Sequence, residues 1–399
     1  MLCAARGLRG NLFIVKLSQS FSIDPNADWV RVHNTEVHDV MAAYEADRPI
    51  RVPMVSWDGP HTHGFYADEI GLDYRDYYTD VEIMLQTQLE AARRRREIRV
   101  HDLPLGLAPE EWPTALDMHP VPAPGWLGCE IVFRERSVPA HRGRHLSKEA
   151  CREMEMPDPR TGNFLATIVE MWEEMKKLCN GLTFLGAPVG QPWSGVCQHG
   201  VFGLCIDLRG EDIMADMYED PEFAHEFILK VATWCDELEA AWRPEGAKPG
   251  QFGISDHGIE MLSPKLYEDF IVPVIKEINR RRGMTPPTAL HHCGLGAHLF
   301  PIIKKHFGLT LIDSLTFPLV DVAKVRADLG EDIYINAVIA EDIVTAGPPE
   351  RIRQTVKDLL TSAKGKGRFA INVGDMLRGV PMDHRIAYYE AVKEFGTYE

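Results

Sequence analysis

The sequence predicts an α/β fold, a single (β/α)8 barrel with a long insertion between the second and third strands. Three observations predict it. The chain has 399 residues, 45% of them hydrophobic, which suits one large core better than one small domain. Short β-type runs alternate with helical segments along its length. Several of those runs are apolar on both faces, as expected of parallel strands covered on both sides by helices.

Residues 1–33 read as an N-terminal extension. Arg6, Arg9 and Lys16 precede the first acid, Asp24, but Leu12-Phe13-Ile14-Val15 is short for a signal-peptide core. An upstream start or a disordered extension fits better than a targeting segment. The barrel is expected over 34–399. Its strands are expected at 51–55, 98–102, 182–185, 251–255, 288–292, 309–313, 332–336 and 368–373. A helix from near Asp80 ends in the basic run Arg93 to Arg96, which reads as a solvated helix end. The insertion covers about 103–160. It is rich in Pro and Gly (Pro120, Pro122, Pro124, Gly125) and offers a strand at 129–134. Asp220 caps a helix opened by Pro221, and Ser263-Pro264 does the same for 265–282. Pro349-Glu350 opens a helix over 351–363, and a last helix covers about 383–395. An open doubly wound sheet is the alternative fold, but no GxGxxG follows the first strand.

Lys+Arg is 43 and Asp+Glu is 59, giving a formal charge of −16. This balance argues against a nucleic-acid partner, which needs a basic face. No apolar run approaches the ~20 residues of a membrane span, so a cytoplasmic location without a membrane partner is expected. The eight cysteines include no CxxC pair, and a chain of this length is no disulfide scaffold. All but Cys293 read as small packing residues in a reducing compartment.

In a (β/α)8 barrel the chemistry sits at the C-terminal ends of the strands. That rule selects Trp57, Asp58 and His61 after the first strand and His101 after the second. It selects Trp193 and His199 after the third, Asp256 and His257 after the fourth, and Asn336 after the seventh. Trp57, His61, His101, Trp193, His199 and Asn336 are candidates for substrate binding, and Asp58, Asp256 and His257 for catalysis. The sharpest local signal is His291-His292-Cys293-Gly294. On a strand, residues i and i+2 share a face, so His291 and Cys293 present an imidazole and a thiol to one side. Both are zinc-type ligands. No cysteine follows Cys293, so a later ligand must be a carboxylate or His. Asp375 leads, with Asp256 or His257 next.

The run Ser255-Asp256-His257-Gly258, the following Ser263-Pro264-Lys265-Leu266-Tyr267-Glu268, the His291-His292-Cys293-Gly294 turn and Gly347-Pro348-Pro349-Glu350 together resemble the uroporphyrinogen decarboxylase superfamily. The resemblance spans roughly residues 34 to 398 and implies a (β/α)8 barrel. It also implies one of two activities. Decarboxylases of that superfamily remove carboxyls from a tetrapyrrole without a cofactor. Methyltransferases move a methyl group from a corrinoid to a thiol, using zinc. The first-strand turn, Ser56-Trp57-Asp58-Gly59-Pro60-His61, lacks the arginines that hold an octacarboxylate in the decarboxylases. Gly128-Cys129-Glu130 and Met156-Pro157-Asp158-Pro159 resemble the inserted segment of the methyltransferase branch, and His291 and Cys293 match its zinc pair. Where that branch supplies a third, cysteine ligand, this chain has Gly374-Asp375-Met376.

The resemblance therefore implies a zinc-dependent methyltransferase holding Zn2+ on His291, Cys293 and Asp375. Its methyl donor would be a corrinoid (cobalamin) carried by a partner, its acceptor a thiol or related small molecule. Asp256 or His257 would orient the acceptor or take its proton. Homodimers are common in the superfamily. The alternative is a cofactor-free lyase using Asp58, with His101 or His199 supplying protons. A barrel that binds a ligand without turnover is the third reading.

Overall fold

The computed structural model describes residues 16–55, 72–118, 120–196, 200–253, 255–285, 288–373 and 379–398. Nine strands lie among them: β1 (Met54–Val55), β2 (Glu130–Val132), β3 (Ala140–Arg142), β4 (Thr183–Phe184), β5 (Ala187–Pro188), β6 (Thr288–His291), β7 (Leu309–Phe317), β8 (Tyr334–Ile339) and β9 (Phe369–Asn372). Five of them form one parallel sheet in the order β1-β9-β8-β7-β6. The register sets Met54 beside Ile371, Asn336 beside Ala370, Leu311 beside Tyr334 and His291 beside Asp313.

Parallel neighbours need a crossover, and helices supply those that link β6, β7, β8 and β9. Phe300–Phe307 joins β6 to β7, Val322–Leu329 joins β7 to β8, and Pro349–Ala363 lies between β8 and β9. Local chemistry sets their ends. Gly308 takes the left-handed conformation (φ 59) that stops the first helix. The Asp321 carboxylate accepts the Lys324 N–H to start the second. β9 is buried at every position, as expected of a strand covered on both faces. The apolar faces of sheet and helices merge into one contiguous core.

The fold is thus α/β with a parallel sheet, and the five expected strands at 51–55, 288–292, 309–313, 332–336 and 368–373 are present. Three others differ from expectation, and in each a side chain or a turn explains why. At 98–102 there is no strand. The Asp102 N–H donates to the Met54 carbonyl at 2.9 Å, but the Met54 N–H is taken by the Asp102 carboxylate at 2.7 Å. A carboxylate replaces the backbone acceptor and the ladder ends. At 182–185, Leu185 (φ 47) and Gly186 (φ 85) form a two-residue turn, so β4 folds back on β5 as a hairpin. The parallel contact falls next to it instead: Trp112 bridges Val189 and Ala115 bridges Trp193. At 251–255, the Phe252 N–H donates to Asn279 Oδ1 (2.7 Å) and Ser255 Oγ accepts from the His291 N–H (3.0 Å), so side chains take ladder positions there.

The helix starts at Asp80, Asp220, Ser263 and Pro349 are as expected. The helix opened by Ser263 passes through a π turn at Tyr267–Ile271 before Val272–Arg282. Pro273, which has no N–H to donate, sits at that junction. The basic run is not the solvated end it was expected to be. Arg95 is fully buried, and Arg93 is held by Glu90 (2.7 Å) and by Glu97. Cys129, Cys151, Cys179, Cys205 and Cys235 are buried free thiols, while Cys293 is exposed. Among the described residues no helix is long and apolar enough to cross a membrane.

Candidate metal centre

β6 carries its side chains alternately in and out. Thr288 and Leu290 are buried while His291 is exposed, and the alternation continues through buried His292 to exposed Cys293. His291 and Cys293 therefore share a face just beyond the strand, as their spacing requires. The segment 255–257 runs beside it and brings in His257. One ligand atom each from His257, His291 and Cys293 lies within 4.8 Å of the others. Cys293 Sγ is 3.7 Å from His257 Nδ1.

This donor set fits zinc. Tetrahedral bonds of about 2.0–2.3 Å put neighbouring ligand atoms about 3.3–3.8 Å apart, so the three groups stand at nearly the required spacing. His291 has the support a ligand histidine needs. Its Nδ1 lies 3.0 Å from Asp313 Oδ2, which fixes the tautomer and leaves Nε2 available. Asp313 is itself nearly buried and is reached by Ser314 Oγ (3.2 Å), Asn336 Nδ2 (3.4 Å) and Asn372 Nδ2 (3.5 Å). β7, β8 and β9 thus all converge behind one imidazole.

The electrostatics prepare the thiol. Hydrogen bonds from His257 and then His291 hold the Cys293 thiol down at about 6. The bond to Asp313, reinforced by Cys293, lifts His291 to about 9. His257 is raised too, chiefly by Cys293. Burial pulls the Asp313 carboxyl upward, but the His291, Asn336 and Asn372 hydrogen bonds leave it below its ordinary value.

Asp256 lies next to His257 with its oxygens occupied. It accepts the N–H groups of Phe202 (2.6 Å), Gly203 (3.1 Å) and Gly258 (2.9 Å). Its carboxylate sits on the N-terminus of the helix Val201–Arg209, where the unpaired N–H groups and the dipole favour an anion. Burial raises its carboxyl to about 6 against those bonds. The structure gives it a holding task, where the sequence had it orient the acceptor or take its proton. His101 is fully buried, with no hydrogen-bond partner for either ring nitrogen among the described residues, and burial presses it down to about 3. It occupies a core position, where a substrate-binding residue was expected. Trp193 is half exposed, and Asn336 supports Asp313. Trp57, Asp58, His61, His199 and Asp375 lie outside the described residues. Sequence reasoning placed Asp313 at the end of an expected strand but gave it no role.

A family model described as Uroporphyrinogen decarboxylase (URO-D) matches residues 35–395. The chain belongs to that family. Among curated relatives, a uroporphyrinogen decarboxylase from Prochlorococcus marinus (strain MIT 9211) is 26% identical over 210 residues, which is 51% of this chain. The aligned stretch spans 57% of that relative's length. Among solved structures, a methyltransferase from Methanosarcina mazei superposes with a TM-score of 0.58 at 14% identity, over 90% of this chain and 98% of that one. At that identity the likeness establishes the shared fold.

Proposed function

We propose that this protein is a zinc-dependent methyltransferase on a closed (β/α)8 barrel. It would move a methyl group between a corrinoid donor and a thiol or related acceptor. The observation that carries the reading is the convergence of His257, His291 and Cys293, with Asp313 behind His291. The family match and the structural likeness to a methyltransferase support it.

His257, His291 and Cys293 would hold the metal and leave the fourth tetrahedral position open to the acceptor, with Asp375 the alternative to His257 as third ligand. Bound there, zinc supplies Lewis acidity that stabilises an acceptor thiolate, the form of a thiol that is strongly nucleophilic. The chain's own residues prepare that site. Cys293 is already disposed to be a thiolate through its two imidazole neighbours, so the proton the metal must displace at neutral pH is the one on His291. Asp313 keeps the His291 ring turned to present Nε2. Asp256 keeps the His257 segment docked on the helix Val201–Arg209. Half-exposed Trp193 is proposed to wall the mouth where the donor docks, the corrinoid arriving on a partner protein.

Protein purified without chelators is expected to hold about one zinc per chain, and Cys293→Ala to lose it. Zinc absent from the wild type, or unchanged in Cys293→Ala, refutes the reading. The partial likeness to a uroporphyrinogen decarboxylase favours a second reading, a cofactor-free lyase using Asp58. Decarboxylation that survives both chelation and Cys293→Ala would establish that one instead.

A further inference from the structure

We propose that Glu260 is a positioning residue: it latches the turn that carries His257 to the turn that carries Cys293 and so sets the spacing between those two side chains. The proposal deepens the metal-centre reading and rests on it for its functional meaning. Glu260 lies on the short 3-10 helix Gly258–Met261 that begins immediately after His257. Its Oε2 accepts the Leu295 N–H at 2.7 Å, two residues beyond Cys293.

The two segments are tied at both ends of the pair. At one end Ser255 Oγ accepts from the His291 N–H at 3.0 Å, and at the other stands the Glu260–Leu295 bond. The glycines of the Cys293 turn are shaped to this arrangement. A Cβ on Gly294 would come within 2.1 Å of Glu260 Oε2, so the carboxylate crosses the turn at a place only glycine leaves open. Beneath the turn, fully buried His292 accepts the Gly296 N–H on Nε2 at 2.9 Å. A Cβ on Gly296 would come within 2.4 Å of that same nitrogen. The His292 ring also stacks on His257, with centroids 6.1 Å apart and planes 25° apart. His292 is therefore the floor and Glu260 the clasp, and Cys293 is held between them.

The test uses the full chain, stripped of metal and titrated with Co2+. Its readouts are the cobalt Kd and the thiolate-to-cobalt charge-transfer band. Glu260→Ala is expected to raise the Kd about 10–100-fold, the usual cost of losing a residue that supports metal ligands, and to weaken the band per bound cobalt. Glu260→Gln keeps an acceptor oxygen for the Leu295 N–H and is expected to restore both. Gly294→Ala keeps the acid but drives its carboxylate off the turn, so it should match Glu260→Ala even if that variant folds poorly. Wild-type Kd and band in Glu260→Ala and Gly294→Ala would overturn the latch. A wild type that binds neither cobalt nor zinc overturns the metal reading alone. The latch is then read from hydrogen exchange of the Leu295 amide in metal-free protein, since that N–H is the one Glu260 holds. Several-fold faster exchange in both variants supports it, and unchanged exchange overturns it.

Discussion

Cys293 stands between two imidazoles, and that neighbourhood decides its chemistry. An ordinary thiol ionises near 8.5, whereas this one is held at about 6 by His257 and His291. In metal-free protein its alkylation rate should therefore climb with a midpoint near pH 6. His257→Ala should shift that midpoint upward. Metal binding adds a second pH dependence. Ligands must be deprotonated, Cys293 from about 6 and His291 from about 9, so each proton competes with the metal. Zinc affinity should rise with pH from about 6 to about 9 in competition titrations, and a flat profile would contradict the assignment. Asp313 acts one bond further out. Asp313→Asn keeps the shape but loses the charge, and about a 10–100-fold weaker zinc Kd is expected with little change in melting temperature.

At the scale of elements, the helix Val201–Arg209 depends on a carboxylate from another segment. Three N–H groups converge on buried Asp256, and Asp256→Ala leaves them without it. Each buried unpaired group costs about 1–3 kcal/mol, so a loss of at least ~2 kcal/mol in urea denaturation is expected. Asp256→Asn should lose less, because its carbonyl still accepts. Substitution at Gly200 tests the same contact from the other side, since its φ is 94 and a Cβ would lie 2.4 Å from Asp256 Cγ. The elements also show what was legible in the sequence. β6 to β9 could be read because short β-type runs recur there between clear helix signals, and their ladders are made by backbone. The segments 98–102 and 251–255 resemble strands in composition but satisfy backbone N–H groups with Asp102 and Asn279, which periodicity does not report. The site divides the same way. His291 and Cys293 share a face by strand geometry alone. His257 was legible as a strand-end residue, but it ranked behind Asp375 as a ligand because spacing along one chain gives no distance across strands.

At the scale of the molecule, a buried ion pair ties the two ends of the chain together. Arg51 reaches both oxygens of Asp102 (2.8 and 2.6 Å) and also Glu36 of the first helix (3.0 Å). Tyr389 of the last helix donates to Asp102 at 2.8 Å. The two ionic side chains are almost wholly buried, so removing one strands the other. Asp102→Ala should cost about 3–5 kcal/mol of stability while zinc content per folded chain stays unchanged. Unfolding curves and metal analysis on the same samples check both halves.

X-ray absorption at the zinc edge of the loaded protein counts the ligands of this centre by element and distance. A single sulfur at about 2.3 Å with two imidazoles at about 2.0–2.1 Å is predicted, the sulfur lost in Cys293→Ala and one imidazole lost in His257→Ala. A shell without sulfur, or one that keeps both imidazoles in His257→Ala, would contradict it.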